Sequence, residues 1–267
     1  MIPLGYWAAR LARRATPQPI VDFLLDRGIY LKPGRDTSEP DRMARAYAER
    51  AAAHDMGIAG KTVCVVGYGG SFGVGVYLLE AGAARVILQD PYAPARSRRN
   101  GALPAPLRTR YLPRERPDPA RITLVHQPLD PYARRHPGTA DLVVSSSVLE
   151  HVADVEGLIA ACARLTAPGG LGVHYVDLRD HYFKHPFEML CYSQAAWSRW
   201  LDASNHLNRL RLPAYERAFR ACFAHVDIVV VEHLRREFRR AHARIRPEFL
   251  TGDEDVDAAV FARVECR

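Results

Sequence analysis

The sequence predicts an α/β chain: an open, mostly parallel sheet with a small helical cap in front of it. The first observation behind this is KTVCVVGYGGSFGVGVYLLEAGAARVILQD, residues 61–90. It opens with Val63-Cys64-Val65-Val66, a β-branched run with little alternation, as expected of a strand buried on both faces of a parallel sheet. A glycine cluster follows (Gly67, Gly69, Gly70, Gly73, Gly75), then Val74, Val76, Leu78 and Leu79 at helical spacing, and Gly82 stops the helix. A second strand, Arg85 to Gln89, ends in Asp90. The second and third observations are DLVVSSSVLEHV (141–152) and LTAPGGLGVHYVDL (165–178), each holding an apolar strand with polar residues after it. Strand, glycine turn, helix, strand and acid make a nucleotide-binding βαβ unit. Glycine lets the backbone approach a ligand where a Cβ would collide, and an acid at the second strand's tip can accept hydrogen bonds from both hydroxyls of a ribose.

In chain order, residues 1–57 read as a helical cap outside the sheet, and 58–267 as the catalytic domain. Leu4, Trp7, Ala8 and Leu11 recur at helical spacing, as do Ile20, Phe23 and Leu24. The turn-rich YLKPGRDTSEP breaks the pattern, and Asp41 starts an alanine-rich helix with Met43, Ala46 and Tyr47 on one face. After Asp90, residues 91–120 carry seven prolines and seven arginines, so a full helix is not expected. A long irregular insertion in a compact domain is usually a functional or mobile loop. It either grips a carboxylate, a phosphate or a carrier protein, or it is a solvated basic loop. Arg121 to His126 reads as the third strand and leads to Gln127. Asp141 to Ser145 is the fourth, with Ser145, Ser146 and Ser147 at its carboxyl end, where ligands bind in open α/β sheets. Residues 154–166 form a helix ended by Pro168-Gly169-Gly170, and Leu171 to Val176 is the fifth strand. Beyond it HYVDLRDHYFKH (174–185) carries Tyr175, Asp177, Asp180 and His181. A carboxylate–imidazole pair within reach is a general-base arrangement that contributes roughly 10²–10⁴-fold. His181 and His185 are spaced i,i+4, but no third ligand is evident, so no metal is expected. Two helices occupy 192–223, with Asn208 and Arg209 between them, either contacting a carboxylate or hydroxyl or bracing the cap. Val226 to Glu232 is the sixth strand, Arg235 to Arg246 an arginine-rich helix with a solvated face, and Ala258 to Cys266 a closing strand.

The glycine turn, together with the 141–152 and 165–178 stretches, resembles the class I S-adenosylmethionine (SAM) dependent methyltransferases over roughly residues 58–267. The resemblance implies a Rossmann-like seven-stranded methyltransferase sheet whose last strand is antiparallel, and SAM as cofactor. It lays Gly67, Gly69, Gly70 and Ser71 along the methionine part, gives Asp90 the ribose, and draws contacts from the fourth strand's tip at Ser145 and Ser146. Gln127 is the nearest candidate for the adenine, since an amide can pair with its amino group and ring nitrogen. Glu150-His151 matches a pair that commonly begins the turn after the fourth strand, so His151 is a candidate base or a structural hydrogen-bonding group. The reactive centre is expected beside Tyr175, Asp177 and His181. Tyr175, Tyr182, Phe183 and Trp197 are candidates to face the sulfonium, at about 0.5–2 kcal/mol per desolvated ring, or are plain core. Caps in this family often cover the substrate pocket; a cap that only seals the sheet edge is the alternative. The string from D-L-x-D-H through N-R-L-R resembles a branch found with polysaccharide and natural-product pathways. One position departs from the pattern: the family's usual acid two residues before the first glycine is here Val65.

These features predict a SAM-dependent methyltransferase of a small molecule in secondary metabolism. Three alternatives stand beside it. One is an NAD-binding Rossmann domain, since the glycines begin as GxG. Another is a non-catalytic SAM-binding partner protein. The third is a SAM cyclase similar to the azetidine-2-carboxylate synthases, in which the cofactor's own amine attacks its γ-carbon and expels methylthioadenosine; Val65 raises it, because without an acid there the amine is not biased toward its charged form. Composition bounds the rest. Hydrophobic content is 48% and charged content 25%, as in a globular protein. Five widely spaced cysteines without a CxxC pair fit a reduced, cytoplasmic chain better than a disulfide framework. No apolar run of about 18 residues suggests a membrane span, and the N-terminus is too polar for a signal peptide. The net charge of +7 favours an acidic substrate or carrier protein, but no nucleic-acid-binding motif or zinc spacing is present.

Overall fold

The structure, a computed structural model, describes residues 4–17, 20, 35–93, 98–181, 185–202 and 207–267. Seven strands form one sheet: β1 (Thr62–Val66), β2 (Arg85–Gln89), β3 (Ile122–Val125), β4 (Ala140–Ser146), β5 (Thr166–Asp177), β6 (Val226–His233) and β7 (Ala259–Cys266). Their order is β3-β2-β1-β4-β5-β7-β6. The first five strands are mutually parallel, and β7 runs antiparallel to both β5 and β6. This is the expected Rossmann-like α/β sheet, with its closing strand reversed. The order also puts the exits of β1, β4 and β5 side by side, and that edge holds the site.

Val63, Cys64 and Val65 are fully buried, which is why their run does not alternate. The helix Gly73–Glu80 presses on β2: a Cβ on Gly75 would stand 3.0 Å from a Leu88 methyl and 3.2 Å from a Val86 methyl. Helix Pro40–Ala53 lays Met43, Ala44, Tyr47 and Ala51 into the same core as Val63 and Val65. Helix Val155–Leu165 is capped by Asp154, whose carboxylate accepts the Gly157 N–H. Strand β5 starts at Thr166, earlier than the Pro-Gly-Gly signal suggests. Thr166 pairs with Ala140, and a register shift before the Leu142–Leu171 pair accommodates the interruption.

Other expectations need correction. Helix Leu4–Ala15 forms, but it buries Tyr6 and Arg10, while Ala8 and Leu11 face outward. The reason is a buried ion pair: Arg10 Nη2 lies 2.5 Å from Asp180 Oδ1, the Tyr6 hydroxyl donates to the same carboxylate, and the guanidinium sits 4.5 Å from the Trp197 ring. Phe23 and Leu24 lie outside the described residues. The 91–120 segment is more ordered than an irregular loop. It holds a 3-10 turn (Arg98–Ala102), a helix (Ala105–Tyr111) and a second 3-10 turn (Pro113–Glu115). Pro106 falls in the first turn of that helix, where proline costs no hydrogen bond, and Leu103, Tyr111 and Leu112 enter the main core. Arg110 and the Tyr111 hydroxyl both reach Glu80; Arg96 lies outside the described residues. Past Ser193 a helical turn (Gln194–Ala196) passes into a π-helical turn (Trp197–Leu201) instead of one regular helix. Helix Arg235–Ala241 buries Phe238 and Ala241, and its exposed arginines pair with Asp255 and Glu254. No helix among the described residues is long and apolar enough to cross a membrane.

Candidate active site

At the exit of β1, Gly67, Gly69 and Gly70 take φ of +75°, +61° and +77°, the left-handed region open to glycine. A Cβ on Gly67 would fall 2.3 Å from a Val148 methyl, so the turn packs directly on the loop leaving β4. Asp90 is oriented by the turn itself: Oδ2 accepts the Gly69 N–H at 2.9 Å and Oδ1 the Tyr92 N–H at 2.8 Å. Ser71 is buried, with its hydroxyl 3.4 Å from the Gly73 nitrogen. Asn100, which the sequence does not mark, staples the same turn: Oδ1 accepts the Phe72 N–H at 2.8 Å and Nδ2 donates to the Gly70 carbonyl at 3.2 Å. The Tyr68 hydroxyl lies 2.6 Å from His126 Nε2, and burial pushes that phenol up to about 12. The carbonyl of Gln127 accepts from Gln89 Nε2 at 2.8 Å, which fixes the exit of β3 beside that of β2.

Side chains alternate across the sheet at the ends of β4 and β5. Ser145 Oγ pairs with His174 Nδ1 at 2.8 Å, and the imidazole packs on Phe219, so this hydroxyl is engaged below the edge. Burial holds His174 down, to about 4. Ser146 points the other way, buried and, among the described residues, with no hydrogen-bond partner at its hydroxyl. Its neighbour in register is Tyr175, which stacks on Phe261 and meets Tyr47 with ring centres 6.0 Å apart. The next residue, Ser147, takes a left-handed φ of 54° and donates its N–H to the Tyr175 carbonyl. That contact ties the two strand exits together.

Beyond this knot sit Glu150, His151 and His181. One ligand-capable atom from each lies within 4.8 Å of the others, and the two imidazole rings are 4.8 Å apart. Both Glu150 oxygens are buried with no close side-chain partner among the described residues, and burial, then the nearby Asp177, pushes the carboxyl well above its ordinary range. Burial and the second imidazole hold His181 down to about 4. Both carboxylates expected near His181 are engaged by guanidinium groups. Asp177 is clamped by Arg179 at 2.9 and 2.7 Å, and Asp180 belongs to Arg10 and Tyr6. A carboxylate held by a guanidinium is a poor base, and Glu150 is a further acid beside the imidazoles. The grouping is not the His181–His185 pair of the sequence pattern: it joins His181 to Glu150 and His151, two imidazoles and a carboxylate that could hold a divalent ion. His185 takes no part and stands edge-on to Tyr6.

Asn208 braces this corner. Its Nδ2 donates to the Leu149 and Val152 carbonyls at 2.7 and 3.0 Å, and its N–H to the Glu150 carbonyl at 3.0 Å. Arg209 donates to the Met189 and Tyr192 carbonyls, which makes it a brace as well. Trp197 is buried with the Arg10 and Arg209 guanidinium groups 4.5 and 5.0 Å from its ring, a core position away from the strand exits. Tyr182 and Phe183 lie outside the described residues.

The edge fits SAM on its own chemistry. The turn has no Cβ at Gly69 and Gly70, and among the described residues Asp90 presents two oxygens each with one backbone donor and the Ser146 hydroxyl is a buried polar group without a partner. Over 123 residues the chain is 30% identical to the ubiquinone biosynthesis O-methyltransferase of Escherichia fergusonii, covering 46% of this chain and 44% of that one. Over 39 residues it is 54% identical to the protein of the same name from Thiobacillus denitrificans, 15% of this chain and 17% of that one. The chain thus spans less than half the length of these curated relatives. Among solved structures it is similar to phosphoethanolamine N-methyltransferase 2 of Haemonchus contortus in complex with S-adenosyl-L-methionine. The TM-score is 0.50 at 15% identity, over 84% of this chain and 52% of that one, a likeness of fold. A family model described as a methyltransferase domain matches residues 40–241, most of the chain. The chain belongs to that methyltransferase family, and S-adenosylmethionine is its cofactor.

Proposed function

We propose that the protein methylates a hydroxyl group of a small biosynthetic intermediate. The observation that carries this is the Glu150–His151–His181 cluster, seated beyond Val148, on which the glycine turn packs. Bound SAM supplies a methyl group made electrophilic by its sulfonium. The chain's own residues do the rest. Gly67, Gly69, Gly70 and Asp90 hold and orient the cofactor, and the Tyr47, Tyr175 and Phe261 rings exclude water from the strand exits. His151 takes the proton of the acceptor hydroxyl at an imidazole nitrogen. Burial keeps Glu150 protonated and His181 neutral, so neither competes with His151 for the proton. Positioning of this kind supplies much of the rate in a displacement with no covalent enzyme intermediate.

The relatives' printed names, O-methyltransferases of ubiquinone biosynthesis, support a hydroxyl over an amine and a biosynthetic setting. The exposed Arg114 and Arg116 and the net charge of +7 suit an acidic acceptor or carrier protein. The free state of all five cysteines suits a cytoplasmic chain. The test pairs kinetics with binding. His151→Ala should lower kcat by roughly 10²–10⁴-fold on a hydroxyl acceptor while SAM affinity stays within about twofold of wild type. Full turnover in that variant would remove His151 as the base.

A further inference from the structure

The glycine turn lacks an acid where β1 delivers it. Val65 and Val66 are buried hydrophobic residues, and Asp90 lies at the tip of the neighbouring strand. The methionine end of SAM carries an ammonium, a cation with three N–H donors, and burying it without an anion is costly.

A carboxylate lies one residue from a contact with the turn, on another element. The short helix Arg35–Ser38 lies against it: Thr37 Oγ1 stands 3.2 Å from where a Cβ on Gly69 would be. Just beyond, Pro40 would touch a Cβ on Gly73 at 2.6 Å. The neighbour of Thr37 in this helix is Asp36, only 5% exposed. Both of its oxygens face a single donor, the Tyr47 hydroxyl, at 3.1 Å, and among the described residues no cation pairs with it. Burial pushes its carboxyl up to about 7. The Tyr47 ring in turn meets Tyr175 on β5, so Asp36 and Tyr47 span from the glycine turn to the strand exits. The titratable groups facing Asp36 are Tyr47 from helix Pro40–Ala53 and Tyr175 from β5.

We propose that Asp36, oriented by Tyr47, receives the α-ammonium of S-adenosylmethionine in place of the missing acid at the end of β1. This rests on SAM binding at the glycine turn. It has a chemical consequence: an amine held as ammonium has no lone pair, so the cofactor cannot attack its own γ-carbon, and the methyl group is left as the reactive electrophile.

Calorimetry on the full chain tests it with three ligands: SAM, S-adenosylhomocysteine, and methylthioadenosine, which has the adenosyl part without the ammonium. Asp36→Asn should weaken the first two by roughly tenfold or more, the loss of a charge-assisted hydrogen bond, and leave methylthioadenosine within about twofold. The wild-type affinity for S-adenosylhomocysteine should rise from about pH 6 to pH 8 as Asp36 ionises, and that of the variant should not. Unchanged SAM affinity in the variant, or an equal loss for all three ligands, overturns the proposal. A wild-type protein that binds methylthioadenosine but not SAM overturns it too. Binding of none of the three brings down the cofactor site itself.

Discussion

At the tip of β2, each oxygen of Asp90 accepts one backbone N–H, from Gly69 and from Tyr92. The side chain therefore shapes the turn and faces the ribose together. Asp90→Ala should weaken SAM binding by about 1.5–3 kcal/mol for each charge-assisted hydrogen bond lost, measured by calorimetry; unchanged affinity would take Asp90 out of the site. His174 makes a separate prediction. Its folded value of about 4 lies below its ordinary 6.5, so the unfolded chain takes up a proton between those values and the folded chain does not. Its contribution is complete above about pH 6.5 and is lost as pH falls toward 4, at up to about 1.4 kcal/mol per pH unit. Asp36 acts with the opposite sign, because its carboxyl is raised. Urea midpoints of wild type and His174→Asn at pH 7 and pH 4.5 isolate the imidazole; parallel curves would contradict the sign. At this scale the sequence was only partly legible. Asp90 and the glycines announce themselves because backbone geometry demands those residue types. Asn100, Asp36 and the closeness of Glu150 to His181 do not, because their meaning comes from tertiary neighbours far along the chain.

Helix Leu4–Ala15 is held by a buried charge pair, so its sequence pattern points to the wrong face. Four apolar residues at helical spacing suggested one stripe, while Arg10 and Tyr6 found Asp180 and took the inward side. Arg10→Ala should leave Asp180 buried without its cation and cost about 3–5 kcal/mol, more than Asp180→Asn with Arg10→Met together. Chemical denaturation of the single and double variants reads this, and equal stabilities would contradict it. Similarly, proline density hid the Ala105–Tyr111 helix, although a proline in a first turn is compatible with helix. Asn208 is a positioning residue for the 149–152 turn. Asn208→Ala should lower kcat with little change in SAM affinity, and Asn208→Asp, which keeps the acceptor to Tyr215 but loses the two donated bonds, should not rescue it. Rescue by aspartate would show that the bonds accepted from Tyr215 and the Leu210 N–H carry the effect.

Across the whole molecule, the sheet was the most legible part. Buried parallel strands leave unalternating β-branched runs, and such runs are local in sequence. Which strand exits meet is not local, yet it decides the chemistry: β1 and β4 touch through Gly67 and Val148, and β4 and β5 through Ser147 and Tyr175. That convergence sets the cofactor turn beside the Glu150–His151–His181 cluster. We propose that SAM bound there gives its methyl group to an acceptor hydroxyl. Mass spectrometry of pure protein incubated with SAM, with and without a panel of small phenols and hydroxy acids, measures this directly. S-adenosylhomocysteine and a methylated product should form only when an acceptor is present. Enzyme-dependent methylthioadenosine from SAM alone, with a new four-carbon cyclic amino acid, would contradict it.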